Sequence, residues 1–72
     1  MTAKDYFRRY DLPLDFVIKW TDEMMGWFFY KRRSFDGIRY FLPKEQAVTL
    51  FDVLRFVAIH NLEDYEVMTS WG

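Results

Sequence analysis

The chain has 72 residues, no cysteine and a net charge of −1. A chain this short forms one domain, residues 1–72, that buries only about 60% of the surface its unfolded form exposes, and neither a disulfide nor a thiolate zinc site can support its core. The near-neutral charge argues against a general binder of nucleic acid or membranes, and the lack of an apolar run of ~18 residues or of an apolar leader predicts a cytoplasmic protein.

Two helices are predicted at the start of the chain. Thr2 followed three residues later by Asp5 resembles a capping box, which would begin a short helix that runs to about Tyr10. Pro13 suits the first turn of a second helix. At helical spacing, apolar side chains cover more than half the circumference of Pro13–Met25, and Gly26 stands where a helix commonly ends. We therefore expect a largely buried second helix.

A β-hairpin is predicted between Trp27 and Leu42. The Asp36-Gly37 pair separates two aromatic and β-branched runs, which is the strongest short hairpin signal. A two-residue turn there would pair Arg33 with Tyr40 and Lys31 with Leu42, on the face that continues to Phe29 and Trp27. We expect this face to be the core face, with the two basic side chains at its edge.

A third helix, about Lys44 to His60, and a short strand, Tyr65 to Trp71, complete the prediction. The helix has an apolar stripe and can be capped by Asn61. Phe56 lies on its polar side, so it is either buried under the N-terminal helix or exposed in a protein-binding face. The order α-α-β-β-α-β predicts a small single-domain α+β fold.

Catalytic groups are scarce, so we predict that the chain is not an enzyme. His60 is the single histidine, and a lone histidine at a helix end is usually a cap or a surface residue. The adjacent acids Asp22-Glu23 and Glu63-Asp64 point in different directions on any regular element. No glycine-rich loop or metal-ligand spacing is present, so no cofactor or metal is expected.

The hairpin end is the strongest candidate binding surface. The predicted partner contacts are Tyr30, Lys31, Arg32, Arg33 and Arg39, with Phe56 as an additional candidate. Tyrosine and arginine are enriched at binding hot spots, and basic residues among aromatics also suit nucleic acid. The alternative is an ordinary charged hairpin end that keeps the protein soluble and blocks edge pairing. Residues 1–44 carry a net charge of +3 and residues 45–72 of −4, which favours a polarised surface.

The predicted order of elements resembles that of the excisionase and MerR-type winged-helix domains: two helices, a hairpin with basic residues, and a further helix. Arg39-Tyr40-Phe41 before Pro43 is similar to the segment that leaves the wing in MerR-type proteins. The resemblance implies that Pro13–Met25 is a recognition helix, that Lys31–Asp36 is the wing, and that the protein binds DNA. The polar side of that helix has a net charge of −2, which phosphates would repel.

Our leading hypothesis is therefore a small protein-binding module that inhibits or modulates a larger macromolecule. Small antagonists encoded by phages and mobile elements often have this build. The expected partner is a protein or nucleoprotein. Winged-helix-like DNA binding in regulation or recombination is the main alternative, and a structural subunit of an assembly is a third.

Overall fold

The computed structural model describes residues 1–8, 11–31 and 39–71, and these form an α+β fold. The elements in chain order are α1 (Ala3–Arg8), β1 (Met24–Tyr30), β2 (Arg39–Pro43), a 3-10 helix (Lys44–Gln46), α2 (Leu50–Ile59) and β3 (Glu66–Trp71). The strands form one antiparallel sheet in the order β2-β1-β3. Within the described ranges, no helix is long and apolar enough to cross a membrane.

The helix predicted for Pro13–Met25 is wrong, because residues 11–23 contain no helix and β1 begins within the predicted range. This segment instead covers the start of α2 with its carbonyl groups. Leu50 N donates to the carbonyl of Phe16 at 3.0 Å, and Phe51 N donates to that of Leu14 at 2.9 Å. The first N–H groups of a helix have no partner inside it, and this segment supplies acceptors for two of them. The recognition helix that the winged-helix resemblance implies is therefore not found in this segment.

The hairpin register differs from the prediction by four residues. Tyr40 lies opposite Phe29 and Leu42 opposite Trp27, whereas a two-residue turn predicts Arg33 and Lys31 as their partners. The Asp36-Gly37 turn itself lies outside the described residues. Since side chains alternate along a strand, an even shift leaves every described residue of the two strands on its predicted face. The core face is consequently confirmed although its pairing is wrong.

The core lies between the sheet and the two helices. Its buried side chains are Ala3, Phe7, Trp27, Phe29, Leu42, Ala47, Leu50, Val53, Val57 and Leu62. The three core residues that belong to the sheet are Trp27, Phe29 and Leu42, and all three lie on the predicted core face. The aromatic side chains supply much of the buried area, as expected for a domain of this size.

The third predicted helix is shorter than expected because its first turn separates from it. Lys44–Gln46 forms a 3-10 helix, and Thr49 is extended, with φ −119° and ψ 164°. Thr49 and Asp52 form a capping box, in which Thr49 Oγ1 accepts a hydrogen bond from Asp52 N and the Asp52 carboxylate accepts from Thr49 N. This cap begins α2 at Leu50.

The remaining predicted boundaries hold to within one or two residues. Thr2 Oγ1 accepts from Asp5 N at 3.3 Å and begins α1 as expected, while Tyr10 lies outside the described residues. Asn61 follows α2 with a φ of 55°, the left-handed conformation of a C-terminal cap. The predicted strand from Tyr65 begins at Glu66.

Candidate functional site

One face of the sheet is left uncovered by the described helices. Phe29 points to the helix side, where its ring lies 5.6 Å from that of Phe56 on α2. Phe28, Phe41 and Met68 are cross-strand partners in β1, β2 and β3, and alternation places them on the other side. Phe41 is 37% exposed and Met68 53% exposed. We call the surface formed by Phe28, Tyr30, Arg39, Phe41 and Met68 the open face.

Gly26 determines how the aromatic pair of the open face is placed. The rings of Phe28 and Phe41 lie 4.8 Å apart at an interplanar angle of 36°. A Cβ atom on Gly26 would lie 2.8 and 2.9 Å from two carbons of the Phe41 ring. The missing side chain therefore lets the Phe41 ring lie over the backbone of the central strand, as aromatic residues do beside glycine in other sheets.

A row of polar side chains borders the apolar centre of the open face. Tyr30 lies between its cross-strand partners Arg39 and Glu66. Glu66 forms an ion pair with the amino group of Met1. Arg39 is exposed and forms no ion pair with any described residue. Among the described residues at this end of the open face, Arg39 therefore provides a positive charge that a partner can pair with.

A shallow groove joins this polar row to the apolar centre. Its volume is about 490 Å³, and it is lined by Phe28, Tyr30, Arg39 and Met68. Aromatic, methionine and arginine side chains are those most enriched at protein–protein interfaces. The groove can accept an apolar side chain beside an acceptor group.

The predicted contact residues are divided between the two sides of the sheet. Tyr30 and Arg39 lie together on the open face, Lys31 and Phe56 contact residues of the helix side, and Arg32 and Arg33 lie outside the described residues. Lys31 is exposed, with its Nζ 5.2 Å from the centroid of the Tyr65 ring. Of the four predicted contacts that the structure describes, it thus brings two together.

Phe56 is half-buried and belongs to an aromatic group on the helix side. Its ring lies 5.6 Å from Phe29 and 4.5 Å from His60. His60 in turn lies 5.3 Å from Tyr40. Phe56 is therefore separated by the sheet from Tyr30 and Arg39.

Phe28, Phe41 and Met68 are the open-face residues that the sequence alone did not single out as contacts. Strand alternation already places Phe28 and Phe41 opposite the predicted core face, so the signal was present in the hairpin pattern. This alternation did not show that Phe28 and Phe41 are exposed, because the predicted second helix could have covered them with its apolar side. Only the structure shows that Pro13–Met25 does not supply such a layer.

A second group of exposed apolar side chains lies where the loop after α1 meets α2. Leu14, Val17, Val48 and Phe51 are all about half exposed or more. Backbone contacts hold the two segments together: Val17 pairs with Thr49, and Phe51 N donates to the Leu14 carbonyl. This group lies beside α2 and is separate from the open face.

The ionisable groups that the structure describes form no metal-binding cluster. No group of three His, Asp or Glu side chains among them could hold a metal ion. The pKa of Asp52 is lowered, chiefly because its carboxylate accepts hydrogen bonds from the backbone N–H groups of Thr49 and Val48. That shift is explained by the helix cap.

Comparison with known proteins does not assign the chain to a family. No protein-family model, curated protein or solved structure matches it. Its function must therefore be inferred from the surfaces described above.

Proposed function

We propose that this chain is a small non-enzymatic module that binds a protein or nucleoprotein through the open face and thereby inhibits or modulates a larger macromolecule. The observation that carries the proposal is the uncovered side of the sheet, where Phe28, Phe41 and Met68 face away from both helices.

The composition of the open face is unusual for a side of a sheet that faces water. Antiparallel sheets often have one solvated face, but that face normally carries polar side chains. Here the three central cross-strand positions are two phenylalanines and a methionine. Contiguous apolar patches on a small protein mark interaction sites, and methionine adapts readily to the shape of a partner.

Arg39 and Tyr30 provide the directional part of the surface. Arg39 is exposed without an ion pair to the described residues, and Tyr30 is its half-buried cross-strand partner. An arginine beside an apolar centre favours a partner that presents a carboxylate next to an apolar side chain. Such pairs give an interface its orientation as well as affinity.

Duplex DNA is the alternative partner, and the described residues favour it less. Affinity for DNA comes largely from many cationic contacts with phosphates. Among the described residues, the open face carries a single arginine beside three apolar side chains. This composition suits a protein surface better than a phosphate backbone.

The test begins with capture of the partner from the native host and continues with variants of the open face. Calorimetric affinities for the captured protein are measured with wild type, Arg39→Glu and Met68→Ser. Because both residues are exposed, their substitution should leave the fold intact, which circular dichroism would check. We expect each variant to weaken binding at least about 30-fold, as the loss of a hot-spot side chain does.

Ile59→Ser is the matched control, since Ile59 is exposed at the end of α2, away from the open face. It should bind like wild type. Unchanged affinity of both open-face variants would reject the assignment of the surface. Salt-dependent binding of the chain to duplex DNA, lost in Arg39→Glu, would favour the alternative function instead.

A further inference from the structure

The two edges of the sheet differ in how well they are protected against pairing with a further strand. Because the strand order is β2-β1-β3, β2 forms one edge and β3 the other. β2 contains Pro43, which has no N–H to donate, and the exposed, charged Arg39. Proline and charged side chains are common means of blocking an edge strand. Residues 67–71 of β3 include neither a proline nor a charged side chain.

The backbone hydrogen bonds show which groups of β3 point away from the sheet. The carbonyl of Tyr65, just before the strand, accepts a hydrogen bond from Ala3 N at 2.6 Å and therefore points away from β1. Because these directions alternate along a strand, the N–H and C=O groups of Thr69 and Trp71 point to the same outer edge. Neither residue forms a backbone hydrogen bond on that edge to another segment that the structure describes.

The pairing of β1 indicates the same directions. Gly26 lies between Pro43 in β2 and Ser70 in β3. A proline in an edge strand lies where its missing N–H would face away from the sheet, so Gly26 directs its backbone groups to β3. Ser70 accordingly directs its own backbone groups to β1, and its neighbours Thr69 and Trp71 direct theirs outward.

The side chains beside this outer edge are uncharged, and two of them are largely exposed. Trp71 is 59% exposed and Met68 is 53% exposed. Trp71 lies on the helix side together with Thr69, to whose Oγ1 its Nε1 donates at 3.1 Å. Met68 and Ser70 lie on the side of the open face. A strand paired with β3 would therefore cover apolar surface on both sides of the sheet, besides satisfying the backbone groups.

We propose that a second copy of this chain pairs with the outer edge of β3, antiparallel and with Ser70 opposite Ser70 at a twofold axis. In this register Thr69 of each copy is the hydrogen-bonded partner of Trp71 of the other. Aromatic and β-branched side chains form favourable cross-strand pairs.

The edge is complementary to itself, which favours a second copy as the occupant. No like charges oppose each other, since residues 67–71 are uncharged. Each exposed Trp71 meets a threonine, and its diagonal neighbour is Trp71 of the other copy, within reach of an aromatic ring. The small side chain of Ser70 stands at the axis, where two identical side chains must face each other.

The position of Thr2 determines the register. Thr2 occupies the start of this edge, opposite Glu66. An axis at Thr69 would bring Trp71 of the second copy against the segment that contains Thr2, and an axis at Trp71 would leave Thr69 without a partner. An axis at Ser70 pairs both outward-facing residues and leaves Thr2 in place.

Pairing at this edge leaves the open face uncovered. The twofold axis is perpendicular to the sheet, so the two open faces would lie side by side on one side of a six-stranded sheet. The proposal does not depend on the proposed function. A chain that binds its partner as a monomer would reject the dimer alone.

Single-cysteine variants test the register, because the chain has no cysteine. Ser70→Cys places two thiols at a non-hydrogen-bonded pair, whose Cα atoms lie about 4.5 Å apart, within the range of about 4.4–6.8 Å that a disulfide spans. Met68→Cys is the matched control on the same side of β3. Met68 is exposed, but its two copies would lie roughly 14 Å apart. We expect mild oxidation to cross-link Ser70→Cys at least about tenfold faster than Met68→Cys.

Sedimentation equilibrium measures the dimer without a cysteine. A contact this short belongs to the weak class of interfaces, so protein concentrations up to about 1 mM are needed. Ser70→Lys places two like charges opposite each other and should weaken dimerisation at least about tenfold. Ile59→Lys adds the same charge at an exposed position on α2, away from β3, and should dimerise like wild type. Circular dichroism checks that both variants fold.

Three results would overturn the proposal. The first is a wild-type chain that remains monomeric at about 1 mM. The second is equal cross-linking of the two cysteine variants, which would indicate random collision or packing of two open faces against each other. The third is a folded Ser70→Lys variant that dimerises as strongly as Ile59→Lys. If Ser70→Lys does not fold, the comparison of the cysteine variants decides.

Discussion

A methyl group added at Gly26 is expected to force β1 and β2 apart. Gly26 is buried in the central strand, opposite Pro43 in β2 and Ser70 in β3. A Cβ atom there would lie 2.1 Å from the carbonyl oxygen of Leu42, besides its contacts with the Phe41 ring. The ring can rotate away, but the carbonyl belongs to the backbone of the neighbouring strand.

The magnitude follows from the size of that overlap. Close C···O contacts between strands are ordinarily about 3.3–3.6 Å, so a contact of 2.1 Å requires β2 to retreat by roughly 1.2–1.5 Å. Overpacking of this kind costs typically 1–3 kcal/mol and sometimes more, and we expect about 3 kcal/mol for Gly26→Ala because backbone must move. A domain of this length has a stability of roughly 4–11 kcal/mol. The melting temperature should fall by roughly 12–24 °C.

Thermal and urea unfolding followed by circular dichroism measure this loss. Where glycine has an unstrained conformation and free space, substitution by alanine stabilises a protein by about 0.4–1 kcal/mol, so the sign itself is informative. Phe41→Ala in the Gly26→Ala background removes only the contact with the ring and should restore little stability relative to Phe41→Ala alone. A Gly26→Ala protein as stable as wild type, or complete rescue by Phe41→Ala, would refute the reasoning.

Two further predictions concern the core and the helix cap. Phe29→Ala should lose about 3–5 kcal/mol, because Phe29 is fully buried at the centre of the sheet; a loss below about 1 kcal/mol in urea unfolding would contradict this. Thr49→Ala should lose about 1 kcal/mol, or roughly 4–8 °C, through the cap of α2. The pKa of Asp52 is lower in the folded state, so its contribution to stability is present above about pH 4 and is lost as the pH falls through the folded pKa. Asp52→Asn should consequently reduce the acid sensitivity of the melting temperature, and an unchanged pH profile would speak against the cap.

The fold class and the core face could be predicted because both depend on local patterns. Alternation between Trp27 and Leu42 fixes the faces of two strands, and an even error in register does not change them. The start of α1 depends on a contact between residues three apart, and its cap could therefore be identified from Thr2 and Asp5. Likewise, Asn61 ends α2 in the left-handed conformation that asparagine tolerates.

The error at Pro13–Met25 has a non-local cause. Its helical periodicity is present in the sequence, but the carbonyls of Leu14 and Phe16 accept hydrogen bonds from amides 34 or more residues later. A pattern read along the segment contains no information about the N–H groups of α2, which need acceptors. The same limitation applies to Gly26, where the sequence suggests a helix end and the structure shows close approach of two strands.

The candidate site follows from that same missing helix. An antiparallel sheet with apolar residues on both sides needs two covering layers, and a chain of 72 residues has supplied only one among its described residues. The aromatic residues are accordingly of two kinds. Phe7, Trp27 and Phe29 are buried between sheet and helices, whereas Phe28 and Phe41 lie on the side that the helices do not reach. A second layer from a partner would cover the open face as a further helix of this chain would have done, and this is the physical reason to expect that the partner is a protein.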